Sequence, residues 1–284
     1  MLVIAGLVKA VKIDLDYLAK AYFYFDEPVI YSLTNETSIS IKPVFVRQSE
    51  IFLSSIDIIN IDKNSFPSVE IIQMSYLRFL REIIAQDEIS RQKFVNILVM
   101  CLGLKKPRMY IDENNKAELI DDELGIRITG KQFEDIKRII MYQNIIHYDD
   151  EYVNPELKKA MAEMDEIRNK GIEVPSLERK MAIIMAHNGM SKAVMQDMTY
   201  RSFSMLFDEV CGEVEYTTTR PIALYGGEAD KVCWIFKKKK NKFDGYIVDQ
   251  DAYANSMGAN QGAIKSIVGN STEGLEAQFN SINK

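Results

Sequence analysis

Two histidines, His147 and His187, and three cysteines, Cys101, Cys211 and Cys233, are the side chains best suited to nucleophilic, acid–base or metal chemistry here. Three thiols cannot all pair, and none is spaced as Cys-x-x-Cys, so a disulfide framework and a thiolate zinc site are both disfavoured. The row His147-Tyr148-Asp149-Asp150-Glu151 sets an imidazole beside three carboxylates and looks metal-like. It has no second histidine nearby and ends at a helix start, where carboxylates suit the positive end of the helix dipole. A capping or solvent-facing role is therefore expected. Asp112, Glu113, Glu118, Asp121, Asp122 and Glu123 lack the order of a calcium loop. Tyr225-Gly226-Gly227-Glu228 is not followed by the lysine–serine pair of a phosphate loop. With no nucleophile–base or acid–base pair standing out, the expectation is a protein that is not an enzyme, with no catalytic residues, no metal and no cofactor.

Two stretches could touch nucleic acid. Lys237, Lys238, Lys239, Lys240 and Lys242 form a basic run beside Trp234, Phe236 and Phe243. Basic residues interleaved with aromatics can hold a single strand, although a solvated hairpin tip explains the same string and is preferred. Residues 177–213 have the outline of a helix-turn-helix. Along 200–215, however, Arg201 is outnumbered by Asp208, Glu209, Glu213 and Glu215, and that surface would repel a duplex. A packing unit is expected there, and DNA is not an expected partner.

The whole chain agrees with this reading. It has 284 residues and a formal net charge of -6, whereas a general nucleic-acid binder should be basic. An apolar fraction of 47% and a charged fraction of 27% are ordinary for a soluble globular protein. The opening run MLVIAGLV is too short to span a bilayer, and its positive charge, Lys9, follows the run instead of preceding it. No membrane association is expected, and the cytoplasm is the default compartment.

The elements that must carry any site read as a mainly α-helical α+β protein. Residues 12–25 favour a helix with Leu15, Leu18, Tyr22 and Phe25 on one side. Val29–Tyr31 and Ser38–Val44 form a hairpin, and residues 47–60 a helix. Residues 68–86 and 90–102 read as helical, with Gly103 as a C-cap. Arg108–Ile111 and Ala117–Ile120 form a second hairpin, to which Ile126–Ile128 adds a strand. Thr129 caps a helix over about 131–144 with Phe133, Ile136 and Ile140 inward. Asn154-Pro155 starts another, ending at Gly171, and 177–187 a third, ending at Gly189. Short strands are expected around Ile222–Tyr225 and Val232–Phe236. The division is a mixed α/β region over residues 1–128, a helical region over 129–216, a short β segment over 217–250, and a mobile tail over 251–284 that is poor in apolar residues. Within that tail, Ile264, Ile267 and Leu275 could form a strip for docking on a partner.

One pattern occurs twice, as Met74-Ser75-Tyr76-x-x-Phe79 and Met198-Thr199-Tyr200-x-x-Phe203. It reads as a short helix, a break at the methionine, a hydroxyl N-cap and a second helix with Tyr and Phe on one side. Both phenylalanines are expected to be buried. Common helix-start chemistry can produce the same string without duplication. Of the chain's fourteen methionines, Met181, Met185, Met190, Met195, Met198 and Met205 cluster in one region. Most suit a core, but methionine-rich surfaces also suit adaptable partner grooves, and Met181 and Met185 are the candidates for that role.

Several of these strings carry a resemblance. The run Tyr142-Gln-Asn-Ile-Ile-His-Tyr148-Asp-Asp-Glu-Tyr-Val-Asn-Pro-Glu-Leu157, then Pro175-Ser-Leu-Glu-Arg179 and Met198-Thr-Tyr-Arg-Ser-Phe203, resembles helical proteins encoded in tail-gene modules of tailed phages of Gram-positive hosts. Asp62-Lys63-Asn64 and Met74-Ser-Tyr-Leu-Arg-Phe79 fit the same likeness, which extends over about residues 40–215. It implies a tail-assembly chaperone or baseplate-associated protein, with other tail proteins (tape-measure or baseplate components) as partners. It also implies a place in the host cytoplasm or in the virion, and carries over no catalytic residue. A permanent tail or baseplate subunit is the first alternative, and a nucleic-acid-binding protein using Lys237–Lys242 the second.

Overall fold

The computed structural model describes residues 13–226, apart from 114, 152 and 172. The expected strand Val232–Phe236, the basic run Lys237–Lys242 and the tail residues Ile264, Ile267 and Leu275 lie outside the described residues, as does the apolar N-terminal run. The described chain is α+β and mainly helical, as the sequence leads one to expect. The described residues fall into two compact units, one of residues 13–151 with 173–226 and one of residues 153–171.

The first unit opens with helix α1 (Leu15–Ala21), capped by the Asp14 carboxylate, which accepts the Tyr17 N–H. The helix does not continue to Phe25. A 3-10 turn over Phe23–Phe25 follows, and Asp26 takes a left-handed conformation with φ 59°. This reversal buries Phe23 and leaves Phe25 69% exposed, so the expected Leu15–Phe25 stripe is broken. Strands β1 (Val29–Ser32) and β2 (Ser38–Ile41) pair antiparallel, with Val29 opposite Ile41. The pairing stops short of Val44, because Lys42 and Pro43 leave the ladder and the Lys42 N–H bonds instead to the Cys101 carbonyl.

Helix α2 (Ser49–Asn60) packs along α5 (Glu88–Leu102). Between them the expected 68–86 helix is three pieces: α3 (Val69–Gln73), α4 (Tyr76–Phe79) and a π turn over Leu80–Ile84. Helix α5 starts two residues before the expected Ser90, because Asp87 caps it through the Ser90 N–H. Gly103 ends it with φ 67°, a conformation that favours a residue without Cβ.

Strands β3 (Arg108–Ile111), β4 (Ala117–Asp121) and β5 (Ile126–Thr129) form the expected antiparallel meander. β5 runs straight into α6 (Gly130–Asn144) through a capping box between Thr129 and Gln132. A single main core gathers these elements, from Ile41 and Phe52 to Phe79, Phe94, Phe133 and Ile140. The mixed region therefore does not end at residue 128. Helix α6, assigned from sequence to a separate helical region, supplies Phe133, Ile136, Ile139 and Ile140 to the same core as the strands before it. Its apolar stripe has nowhere else to be buried once the capping box has turned the chain back over β4.

A second, smaller core is made by α8 (Leu177–Asn188), α9 (Lys192–Gln196) and α10 (Tyr200–Gly226), with Val46 inserted from the N-terminal region. Ile222–Tyr225 is not a strand. It is the last turn of α10, which runs unbroken through the expected boundary at 216. Propagating a formed helix costs far less than starting one. The Thr217 and Thr218 hydroxyls bond back to the carbonyls of Glu213, Val214 and Glu215, which lets this β-branched stretch stay helical. In the second unit the described element is α7 (Pro155–Arg168), with Asn154 as cap and proline at its first position. It ends at Arg168, before Gly171. Among the described residues no helix is long and apolar enough to cross a membrane.

The β3–β4–β5 meander depends on one buried carboxylate. Asp121 accepts N–H bonds from Lys105 at 2.6 Å, Lys106 at 2.9 Å, Glu123 at 3.1 Å and Leu124 at 3.2 Å. Burial raises its pKa, but these four backbone donors outweigh it and hold the carboxyl below its ordinary value. A lowered native pKa gives stability that is present above the ordinary carboxylate range and lost as pH falls through the native value. Chemical denaturation between pH 6 and pH 2 should therefore show a smaller acid loss of stability in Asp121→Asn than in the wild type, the remainder coming from other lowered carboxylates such as Asp150. At pH 7, Asp121→Ala should cost about 2 kcal/mol.

Candidate interaction surface

The two repeated strings adopt the same local form. In the first, α3 ends at Met74, Ser75 caps α4 by accepting the Arg78 N–H at 3.3 Å, and Tyr76 and Phe79 enter the main core. Phe79 meets Phe66 edge-on at 5.3 Å. The approach is close, because a Cβ on Gly130 would stand 3.0 Å from the Ser75 side chain. In the second, α9 ends ahead of Met198, Thr199 caps α10 by accepting the Ser202 N–H at 3.2 Å, and Phe203 is fully buried in the second core. Beyond the phenylalanine the two diverge, into a π turn in the first case and the long α10 in the second. Both strings are thus packing units. Met74, Tyr76, Phe79 and Phe203 are buried, while Met198 and Tyr200 are half-buried.

What seats the second string is absent from the first. Residues Val44–Val46 lie antiparallel to Met198–Tyr200. The Val46 N–H bonds to the Met198 carbonyl at 2.9 Å and the Tyr200 N–H to the Val44 carbonyl at 2.7 Å, about a bridge between Phe45 and Thr199. The Asn144 side chain accepts the Val44 N–H at 2.7 Å. The Asp26 carboxylate accepts the Thr199 hydroxyl at 2.6 Å and the Ser202 hydroxyl at 2.7 Å, placing a negative charge at the positive end of α10. Arg201 turns inward and donates to the Tyr142 carbonyl at 2.9 Å. Burial pushes its guanidinium below the usual range. The left-handed Asp26 in Phe25-Asp26-Glu27-Pro28 carries a faint sequence signal, since Asp tolerates that conformation ahead of a proline-led strand. Asn144 and Val44–Val46 carry none, because their partners are remote in sequence.

Both histidines point to α10. His147 Nε2 lies 3.0 Å from Asp208, and His187 Nε2 lies 2.9 Å from Glu213. Asp150, from the same metal-like row as His147, instead binds Arg138 and the Tyr142 hydroxyl. Among the described residues no group of three His, Cys, Asp or Glu side chains converges as a metal site. Cys101 is buried, and burial pushes its thiol up to about 12.

The methionine-rich region splits in two. Met181 is 5% exposed in the second core, so it is not available to a partner as the sequence suggested. It falls on the side of α8 that faces Phe203, and Met195 is buried with it. Met185 is 42% exposed and keeps that candidacy, together with Met205, Val194 and the apolar residues along α10. No family model, no curated protein and no solved structure matches this chain.

A polar detail of the first string is testable. The Lys137 ammonium lies 3.6 Å from the centre of the Tyr76 ring. Burial pushes it down to about 8, against the opposing pull of Glu134, Asp62 and Asp150. A lowered lysine pKa means that the unfolded chain binds the extra proton between about pH 8 and pH 10.4. Stability of the wild type relative to Lys137→Met should therefore rise with pH across that window, as measured by urea unfolding. A flat difference would contradict this burial.

The two cores also make separable predictions. Phe79→Ala should cost about 3–5 kcal/mol and weaken the whole unit. Phe203→Ala and Asp26→Ala should loosen α8–α10 selectively, Asp26→Ala by about 1–2 kcal/mol. Hydrogen exchange should then speed up along α10 while the α2–α5 amides stay protected.

Proposed function

We propose that this chain is a non-enzymatic assembly protein of a phage tail module, chaperone-like, acting through contacts with other tail proteins such as tape-measure or baseplate components. The observation that carries the reading is the course of α10. It has 27 residues, about 40 Å of helix. Phe203, Phe207, Val210 and Val214 follow at steps of four, three and four, the spacing of a helix-on-helix seam. Phe203, Phe207 and Val210 use that seam within the first unit. After Val210 no residue of the helix is buried. The apolar row nonetheless runs on to Val214, 46% exposed, and after the polar stretch Glu215–Arg220 the last turn carries Ile222, Leu224 and Tyr225, all exposed.

Thr217–Thr219 and Pro221 are poor helix formers, so this half of α10 has little intrinsic stability of its own. An amphipathic helix of a partner, laid along the row, would supply what it lacks. Glu215 borders the row and favours a partner with a basic flank. The resemblance of residues 40–215 to phage tail-module proteins supplies the identity of that partner.

Co-expression with the proteins of a tail module, followed by affinity capture of the full chain, tests this. Val214→Asp with Ile222→Asp changes exposed positions only and should weaken capture of a tail protein at least tenfold, ~1.4 kcal/mol. Unchanged capture would remove α10 as the contact. Recovery of the chain at fixed stoichiometry in purified particles would replace the chaperone reading by that of a permanent subunit.

A further inference from the structure

The main core has a second feature, remote from α10. The π turn Leu80–Ile84, helix α5 and the β3–β4 pair enclose a cleft of about 480 Å³. Its floor is apolar and made of buried residues, Phe94 and Leu98 from α5 and Leu119 from β4. Arg81, Arg91 and Arg108, all exposed, also line it, and no Asp or Glu is among its lining residues. Two of these arginines make long ion pairs, Arg91 with Glu88 at 3.8 Å and Arg108 with Asp122 at 3.9 Å. Three positive charges gathered around an apolar floor are unexpected in a chain of net charge -6.

The third arginine is placed by irregular backbone. The Ala85 N–H reaches back to the Leu80 carbonyl at 2.7 Å, the bond that defines the π turn. The Gln86 side chain ties the turn down by donating to the carbonyls of Arg81 at 2.9 Å and Glu82 at 2.7 Å. Single π turns recur at functional sites, where the extra residue re-aims a side chain. Here the turn carries Arg81, which lines the cleft.

We infer that this cleft binds a small organic anion: a carboxylate or phosphate headgroup held by the three arginines, with an apolar chain or ring against Phe94, Leu98 and Leu119. The volume falls within the roughly 300–1,000 Å³ of small-ligand sites. Guanidinium groups grip carboxylate and phosphate through paired hydrogen bonds, and the apolar floor rewards a hydrocarbon body that inorganic phosphate does not have.

Octyl phosphate, inorganic phosphate and octanol, titrated separately into the full chain below micelle-forming concentration, provide the test. Calorimetry gives affinity and methyl NMR gives location. Octyl phosphate should bind at one saturable site and shift the Leu98 and Leu119 methyl signals. Inorganic phosphate and octanol should each bind at least tenfold more weakly. Arg81→Gln with Arg91→Gln and Arg108→Gln, all at exposed positions, should weaken octyl phosphate at least tenfold while leaving the remaining spectrum unchanged. Several results would overturn the inference: no saturable binding, inorganic phosphate or octanol binding as tightly, or an affinity indifferent to the triple variant. Sedimentation with phosphatidylglycerol vesicles, without binding of monomeric octyl phosphate, would also overturn it and assign the arginines to an anionic surface.

Discussion

Three residues, Val44–Val46, join the two cores of the first unit. Val44 is buried in the main core and Val46 in the second, and their backbone makes the paired bonds to Met198 and Tyr200. The chain here is extended and off the β1–β2 ladder, so its peptide groups need partners from elsewhere once buried. Asn144 and the start of α10 supply them. Around this clip the polar groups of Asp26, Thr199, Ser202 and Arg201 fix where α10 begins and in which direction it leaves. The position of Phe203, the burial of Met181 and the pairing of both histidines with α10 depend on that direction.

The clip also explains why one short string has two fates. Met-Ser/Thr-Tyr-x-x-Phe encodes a break, a hydroxyl cap and a phenylalanine one turn later, and both copies deliver that local form. The first copy is enclosed by α6, with Gly130 pressed on Ser75, and its helix is cut short by a π turn. The second meets an extended strand and a carboxylate at its N-terminus, and its helix runs on for 27 residues. Local capping decides where each helix starts. Packing decides how far it goes.

The two features offered as functional differ in kind. The row along α10 extends a buried interface by one exposed step, to Val214, and the last turn adds further exposed apolar residues, so its natural complement is another helix. The arginine cleft is bounded, apolar at its floor and lined by three arginines, so its complement is a small amphiphilic anion. Neither needs the basic run Lys237–Lys242. Arg201, the basic residue of the acidic stretch 200–215, is half-buried and donates to the Tyr142 carbonyl.

Much of the architecture was legible in the amino-acid order because it is local. Asn154-Pro155, Thr129 with Gln132, Gly103, Ser75 and Thr199 state helix boundaries through hydrogen bonds reaching only a few residues. The meander and the first hairpin followed from strand patterning and their turns, and the burial of Phe79 and Phe203 from spacing. What failed was also local in origin. Ile222–Tyr225 read as a strand beyond a helical region ending at 216, yet a helix already formed upstream carried through Thr217–Thr219 and Pro221 to include it. Only tertiary structure decided that α6 belongs to the main core, that Met181 faces inward and Met185 outward, and that Arg81, Arg91 and Arg108 share one cleft. These facts depend on which faces meet across separations of tens to more than a hundred residues. No period of 3.6 or 2 encodes them, because hydrophobic burial specifies that a face be covered and not what covers it.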